Sequence, residues 1–567
     1  MRHLLEADKK KKKGNKCNVK WFKDHYLSPG VVLSVADAIA IVGKGLDHAY
    51  VGEVVCFKEP DSHLMGLVMN IEHYVTRVAL LTGGTEMIST QDKVYCTRKG
   101  VRTKVGLGTL GRISDPLGEC LNEEQFTYHE LTLQDVWNLR FAETEARSPS
   151  IIEREPVRTP VHTGINAIDV LLPVGAGQRE LIIGDLGSGK TSLALTIILH
   201  QGYKNNNLYR QWRKIESNHL SYKSRLFIPC VYVVIGGRRA ELSRIKLMMK
   251  NSNIRNYTAV IFTGADDLAA LQYVAPFAGC CVGEWFRDKG YKAIIVYDEL
   301  LNHAAAYRQM SLLLRRPPGR EAYPGDIFYL HAKLLERAAQ LNRKLGGGAL
   351  TAFPLVETKG GDITAYIPTN IISITDGQVF LNQKIGNSGI QPAIDLNLSV
   401  SRVGADAQYN IMKFIGKKVK LAYGVYRTVQ GVEKLSGSLD SYILFLIHKG
   451  KRIIEFFKQE LYRSEDLYKQ VICLFAIVEN YMDGIQPEYT QFYYTLLFKE
   501  EMAITFLSRK NANLISFVSN PNTWNVCFMS LYGKDIQKHL KTFLKAYTEA
   551  FIDVYNDKIH SYVKAKM

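Results

Sequence analysis

In the amino-terminal part of the chain, hydrophobic positions come in short runs cut by turn residues. Val31-Val32-Leu33-Ser34-Val35, Val51–Phe57 and Met65–Met69 are such runs, followed by Thr76–Leu81 and the turn Gly83-Gly84. Short β segments at this spacing predict a small antiparallel barrel or sandwich over residues 26–111. From 112 to 395, apolar strand-like runs alternate with helix-like stretches. The predicted strands are Glu180–Ile183, Val231–Ile235, Ala259–Thr263, Ala293–Tyr297 and Leu350–Val356. Alternation of this kind predicts a mostly parallel sheet covered by helices. From 396 to 567 the period is helical, with long amphipathic segments such as Lys449–Glu460 and Ser464–Tyr481. The order is β, then α/β, then α.

Composition narrows the class. The chain has 567 residues, 46% hydrophobic and 22% charged, an ordinary globular balance with room for several domains. No apolar stretch approaches the ~18 residues of a membrane span. Nine cysteines without a C-x-x-C or ligand-like histidine spacing point away from a zinc site or disulfide scaffold and toward a reducing compartment. Cys280-Cys281 sits in an apolar run and is expected to be buried.

The net charge of +17 first suggests an acidic partner such as nucleic acid, but its location argues otherwise. Residues 1–25 hold nine Lys/Arg against three Asp/Glu, residues 203–226 six against one, and residues 411–567 twenty-two against fifteen. The rest is close to neutral, whereas a nucleic-acid path through the core would be basic. The tail 1–25 contains Lys9–Lys13 but no apolar segment of a secretory signal, and Glu6 and Asp8 do not suit an acid-poor transit peptide. It reads as a solvated tail or a docking arm. The stretch 203–226 carries Tyr203, Tyr209, Trp212 and Tyr222 among its basic residues. It reads as a surface insert or subunit contact rather than a nucleic-acid platform.

The strongest chemical signal is Gly184-Asp185-Leu186-Gly187-Ser188-Gly189-Lys190-Thr191, a full G-x-x-x-x-G-K-[ST] lying between a predicted strand and the helical run Thr191–His200. Its glycines let backbone N–H groups close around phosphates at a helix N-terminus. Lys190 adds charge near the β- and γ-phosphates, and the Thr191 hydroxyl suits Mg²⁺. Ala293–Asp298 is an apolar strand ending in a carboxylate, so Asp298 is expected to act on the metal through water, with Glu299 beside it. A nucleoside triphosphate with Mg²⁺ is the cofactor these motifs imply.

With these motifs in place, the chain resembles the alpha subunit of an F-type ATP synthase. The resemblance rests on Val161–Asp169 and Gly177–Asp185 before the loop, Ala306–Asp326 with its LLLRRPPGREAYPGD run, Ile363–Gln378, and Leu398–Gly404. By eye it covers about 150–202 and 227–410 and thins beyond about 430. It implies a multidomain α/β fold with these parts: a basic tail (1–25), an N-terminal β-barrel (26–111), a central RecA-like P-loop NTPase domain with a mostly parallel sheet (112–395), and a C-terminal all-α domain (396–567).

The resemblance further implies an alternating 3:3 ring with beta subunits around a gamma central stalk, a peripheral stalk, and no nucleic acid. The subunit would be peripheral to a membrane whose proton-conducting sector drives ATP synthesis. The mitochondrial inner membrane, matrix side, is the expected location; thylakoid and bacterial plasma membranes are the other compartments of such complexes. In this family alpha binds nucleotide without turnover, and the resemblance makes Arg402 an arginine finger acting in trans, with Ser399 in support. The nucleotide-binding set carried over is Gly184 to Thr191, Ser192, Gln391 and Pro392, with Thr191 and Asp298 at the metal.

Several residues depart from the family pattern. Leu186-Gly187-Ser188 stands where the family has Arg-Gln-Thr, Gly237 where it has Gln, and Gln391 where it has Arg. The paired glutamines near the adenine align here with Leu444 and Phe445. These changes predict a weakened nucleotide site. Gly237 also occupies the place where catalytic beta subunits carry a water-positioning glutamate, so no turnover is expected from the chain alone. The alternative, a hexameric RecA-like RNA-translocating ATPase, would need that glutamate and a basic core.

Overall fold

The computed structural model describes residues 29–121, 139–213, 227–433 and 440–497, apart from 44, 47, 61 and 253, together with 541, 544, 545 and 548. The basic tail, the end of the 203–226 insert and most of 498–567 lie outside the described residues. The described chain forms two compact units.

The first unit comprises residues up to 155 with 211–357 and 362–375. It opens with a closed six-stranded barrel: Gly30–Ala36, Ile39–Val42, Glu53–Phe57, Met65–Ile71, Thr76–Leu80 and Lys93–Gly100. Every pairing in the barrel is antiparallel. Its interior is Val32, Ala40, Val42, Val55, Phe57, Val68, Val78 and Leu80, each nearly or fully buried. Alternation within the strands puts these on one face, and closure removes the edges an open sheet would expose.

The unit also contains the parallel strands Cys230–Gly237, Thr258–Gly264, Lys292–Asp298 and Ala349–Thr358, with the two-residue strand Ile113–Ser114 at the edge. The long strands are buried on both faces and so read as unbroken apolar runs. The helix Ala269–Asp288 carries Cys280 and Cys281, both buried free thiols as expected. Burial pushes the Cys280 thiol up to about 12, which disfavours its reactive thiolate form.

Two buried histidines in this unit give stability a pH dependence. His303 and His331 lie with ring centroids 5.5 Å apart. Burial pulls the His331 imidazole down to about 4 and holds His303 well below its usual value. The unfolded chain takes up protons below about pH 6.5 that the folded chain refuses. Stability is therefore expected to fall as pH drops from about 6.5 toward 4, by up to about 1.4 kcal/mol per pH unit per histidine. Denaturation midpoints measured across that range, with His331→Leu losing part of the slope, check this.

The second unit comprises residues 156–210, 358–361 and those from 376 onward. Its strands Leu181–Asp185 and Gly377–Leu381 pair in parallel, and Val400–Ser401 adds antiparallel to the latter. The helix Lys190–Arg213 follows the phosphate loop, so the first half of the expected insert continues that helix instead of standing apart from it. There Asn205 is buried, and burial pulls the Lys204 ammonium down to about 8 against the opposing pull of Asp169 and Asp466. The carboxy-terminal part contains the helices Asn410–Glu433, Ser441–Phe457, Leu467–Val478 and Thr490–Leu497. The helix Leu467–Val478 is buried from Gln470 to Val478, and from Val471 onward its sequence is apolar on every face.

Candidate nucleotide site

The strand Leu181–Asp185 is buried until its last residue. The chain then turns through Gly187 at φ +75 and Gly189 at φ +98, conformations that side chains with a Cβ rarely adopt, and a Cβ at either would meet open space. The helix starts at Lys190, so the N–H groups of its first turn have no partner within the helix and face the loop with the positive end of the dipole. Asp185 holds the loop from behind: its Oδ1 accepts from Thr358 Oγ1 and from Gly361 N, both at 2.7 Å. Lys190 is buried and donates to the carbonyls of Gly184 and Asp185, each at 2.9 Å. The Ser188 hydroxyl is buried and has no hydrogen-bond partner. An unsatisfied hydroxyl, a cationic amine and glycine-exposed N–H groups in one loop fit the phosphates of a nucleotide.

Beside the loop lies a cavity of about 290 Å³. Gly187, Ser188, Gly189 and Ser192 form one wall, and Leu381, Gln391 and Pro392 another. Leu186 is 74% exposed at the tip of the loop. The third wall is Gln459 to Leu461 with Arg463. Gln459 is fixed at both ends of its amide, accepting from Asn166 N at 2.7 Å and donating to Gly164 O at 3.0 Å. Its backbone N–H donates to Gln391 O at 2.7 Å. Tyr462 reaches the loop helix, its hydroxyl 3.3 Å from Ser192 Oγ.

This wall corrects the expectation for the base-facing positions. Leu444 and Phe445 lie within the helix Ser441–Phe457, Leu444 is 41% exposed, and neither lines the cavity. The helix ends at Phe457 and the irregular segment after it supplies the wall. The signal in the sequence was the loss of helical period after Phe456-Phe457, where Lys458-Gln459-Glu460 offers three polar residues in succession.

The remaining expected residues sit as follows. Asp298 ends its strand next to Val234 of the neighbouring strand, and its Oδ2 accepts from the buried Tyr232 hydroxyl at 2.5 Å. Gly237 ends the strand Cys230–Gly237 with no side chain to offer. Thr191 is half-buried in the first turn of the loop helix. Arg402 is exposed directly after the edge strand Val400–Ser401. Its backbone N–H donates to Asp376 O at 2.8 Å, and Arg179 clamps the Asp376 carboxylate through Nε at 2.9 Å and Nη2 at 2.6 Å. Ser399 is buried: its hydroxyl donates to Asp395 O at 2.6 Å and accepts from Phe380 N at 2.9 Å. Neither of these two bonds is to Arg402. Beneath this edge, burial pushes the Glu180 carboxyl well above the usual range, and Gln178 donates to it at 2.8 Å.

The nucleotide-binding-domain profile of the ATP synthase alpha/beta family matches residues 164–401, and the C-terminal-domain profile of the same family matches 408–519. ATP synthase subunit alpha of Ehrlichia ruminantium is 40% identical over 512 residues, spanning 90% of this chain and 94% of the relative. The chain belongs to the ATP synthase alpha subunit family. The alpha subunit of Neorickettsia sennetsu is 42% identical over 456 residues (80% and 84% of the two chains), and that of Dehalococcoides mccartyi strain CBDB1 is 39% identical over 526 residues (93% and 95%).

Family membership accounts for the barrel, the central nucleotide-binding domain and the all-α carboxy-terminal domain in that order. It carries the non-catalytic alpha role, with which the bare Gly237 agrees. The family likeness also runs further than the residues alone suggest: it continues through 408–519, past the point near 430 where the motifs thin. Among the described residues no helix is long and apolar enough to cross a membrane.

Proposed function

We propose that the chain is the nucleotide-binding, non-turnover alpha subunit of a rotary proton-transporting ATP synthase head, alternating with beta subunits in a 3:3 ring around a gamma stalk. The observation that carries this reading is Arg402, exposed at a sheet edge with its backbone pinned through Asp376 to Arg179. A guanidinium so placed serves a neighbour's transition state rather than its own chain's nucleotide. The loop 184–191, with Ser192, Gln391 and Pro392, holds ATP or ADP. Mg²⁺ would supply charge neutralisation on the phosphates when bound, and Thr191 is assigned as a ligand.

Co-purification tests the assembly: a complex with a beta-like chain in equal numbers is expected, and a lone or homo-hexameric chain would overturn it. The purified chain alone is expected to show no enzyme-like ATPase. Lys190→Ala is expected to weaken ATP binding at least tenfold, because a buried ammonium next to the phosphates is lost; isothermal titration checks this. The reading places the complex on the matrix side of a mitochondrial inner membrane, which fractionation with protease protection decides.

A further inference from the structure

The helix Asn410–Glu433 turns one face inward and leaves the other in solvent. Met412, Ile415, Val419 and Tyr426 are buried. On the opposite side Phe414, Leu421 and Val425 are 46%, 64% and 42% exposed, at a spacing that keeps them on one stripe of an α-helix. Alongside that stripe run Lys413, Lys417, Lys420 and Arg427, all exposed. Gly424 is exposed among them, and a Cβ there would meet open space. From Asn410 to Val432 the helix has no Asp or Glu. Carboxylates from elsewhere neutralise only part of the charge. Lys413 lies 3.5 Å from the exposed Asp406, and Lys418, set over the Phe414 ring, is held by Glu479 at 2.6 Å. Among the described residues Lys417, Lys420 and Arg427 have no ion pair.

We propose that this outer face docks an acidic amphipathic helix of a partner protein, with apolar side chains against Phe414, Leu421 and Val425 and carboxylates toward Lys417, Lys420 and Arg427. The charge is of one sign and lies on one side of the apolar stripe, so it selects a partner of opposite sign and fixes its orientation. Gly424 leaves a notch between the cations where a partner's ridge can approach the backbone. A glycine inside a helix lowers its stability, and close approach is what that position gains in return. From Phe414 to Arg427 the face is about 20 Å long, which matches about four turns of a second helix. A lipid surface fits less well. It would need an apolar face sunk about 5–10 Å into the acyl boundary, whereas here a single row of apolar side chains stands out from a helix whose other side is committed to the core. Nothing in this docking depends on the nucleotide loop.

Fluorescence anisotropy of the full-length chain tests this, with a labelled helical peptide of about five turns carrying leucine on one stripe and glutamate beside it. A Kd below about 0.1 mM is expected, weakened at least about tenfold when salt rises from about 0.05 to 0.3 M. Lys417→Glu combined with Lys420→Glu is expected to cost at least about tenfold, and Leu421→Ser about fivefold. Gly424→Leu removes no charge and favours the helix, so it is expected to hold or raise the melting temperature while weakening the peptide about fivefold or more. Circular dichroism confirms that the variants fold. No binding at about 1 mM peptide overturns the proposal. So does an affinity unmoved by all three variants, or equal binding of a peptide with alanine in place of every leucine. Anionic phosphatidylserine vesicles that capture the chain through the same residues, while the peptide does not bind, would replace the helix with a lipid surface.

Discussion

Arg402→Ala, introduced into the reconstituted ring, is expected to lower multisite ATP turnover by about 10³–10⁵-fold, the range measured when an arginine finger is withdrawn from a γ-phosphate. Assembly should survive. The side chain is exposed, and the bond from its backbone N–H to Asp376 O does not depend on it. Arg402→Lys separates charge from shape: an ammonium restores the positive charge but not the planar fork, so a partial rescue is expected. Single-site nucleotide binding on the neighbouring subunit should be little altered, because the finger acts on charge that develops during transfer. A ring carrying Arg402→Ala that assembles and turns over at the parental rate would refute the assignment.

Glu284→Gln is expected to destabilise the unit that contains it by about 3–5 kcal/mol. Glu284 lies between two buried cations. Arg337 is fully buried and forms a two-pronged ion pair with the carboxylate, one contact being Nε to Oε1 at 3.1 Å. Arg287 Nη1 approaches Oε1 at 3.4 Å and donates to Arg337 O at 2.6 Å. Arg337 also donates to Thr144 O at 2.7 Å, so it cannot swing to solvent without leaving a carbonyl bare. Neutralising the glutamate leaves the buried Arg337 guanidinium beside that of Arg287, which keeps its ion pair to Asp288 at 2.9 Å. The paired change Glu284→Leu with Arg337→Met should recover much of the loss, since a buried ion pair is costly mainly when it is broken on one side. Thermal unfolding of the single and paired variants checks both halves; equal melting of parent and Glu284→Gln would contradict the expectation.

The sequence made the phosphate loop and the strands around it legible because both obey local rules. G-x-x-x-x-G-K-T demands glycines where φ is positive, and the buried strands demand unbroken apolar runs; the observed Cys230–Gly237 and Lys292–Asp298 extend the predicted strands by a residue or two at each end. The barrel was legible for the same reason, through alternation. The third wall of the cavity was not. Gln459 to Arg463 has no period, contains Tyr462 at φ +64, and is placed by bonds to Asn166 and Gly164, nearly three hundred positions earlier in the chain. No window of local pattern carries such a contact, so alignment on a helical stretch pointed to Leu444 and Phe445, which do not line the cavity. The 203–213 stretch misled in the opposite way: Asn205-Asn206-Asn207 has the composition of a loop, yet no proline interrupts the helix and it runs on to Arg213.

The double anchoring of Gln459 bears on how fast a ligand is captured. A wall whose amide is already satisfied by the neighbouring backbone does not have to be assembled around the incoming molecule. Little ordering entropy is then left for the binding step, and no slow rearrangement need follow it. Stopped-flow capture of a fluorescent nucleotide should accordingly run as a single phase whose rate rises in proportion to ligand concentration. Gln459→Ala, by freeing that wall from Asn166 and Gly164, should introduce a concentration-independent lag.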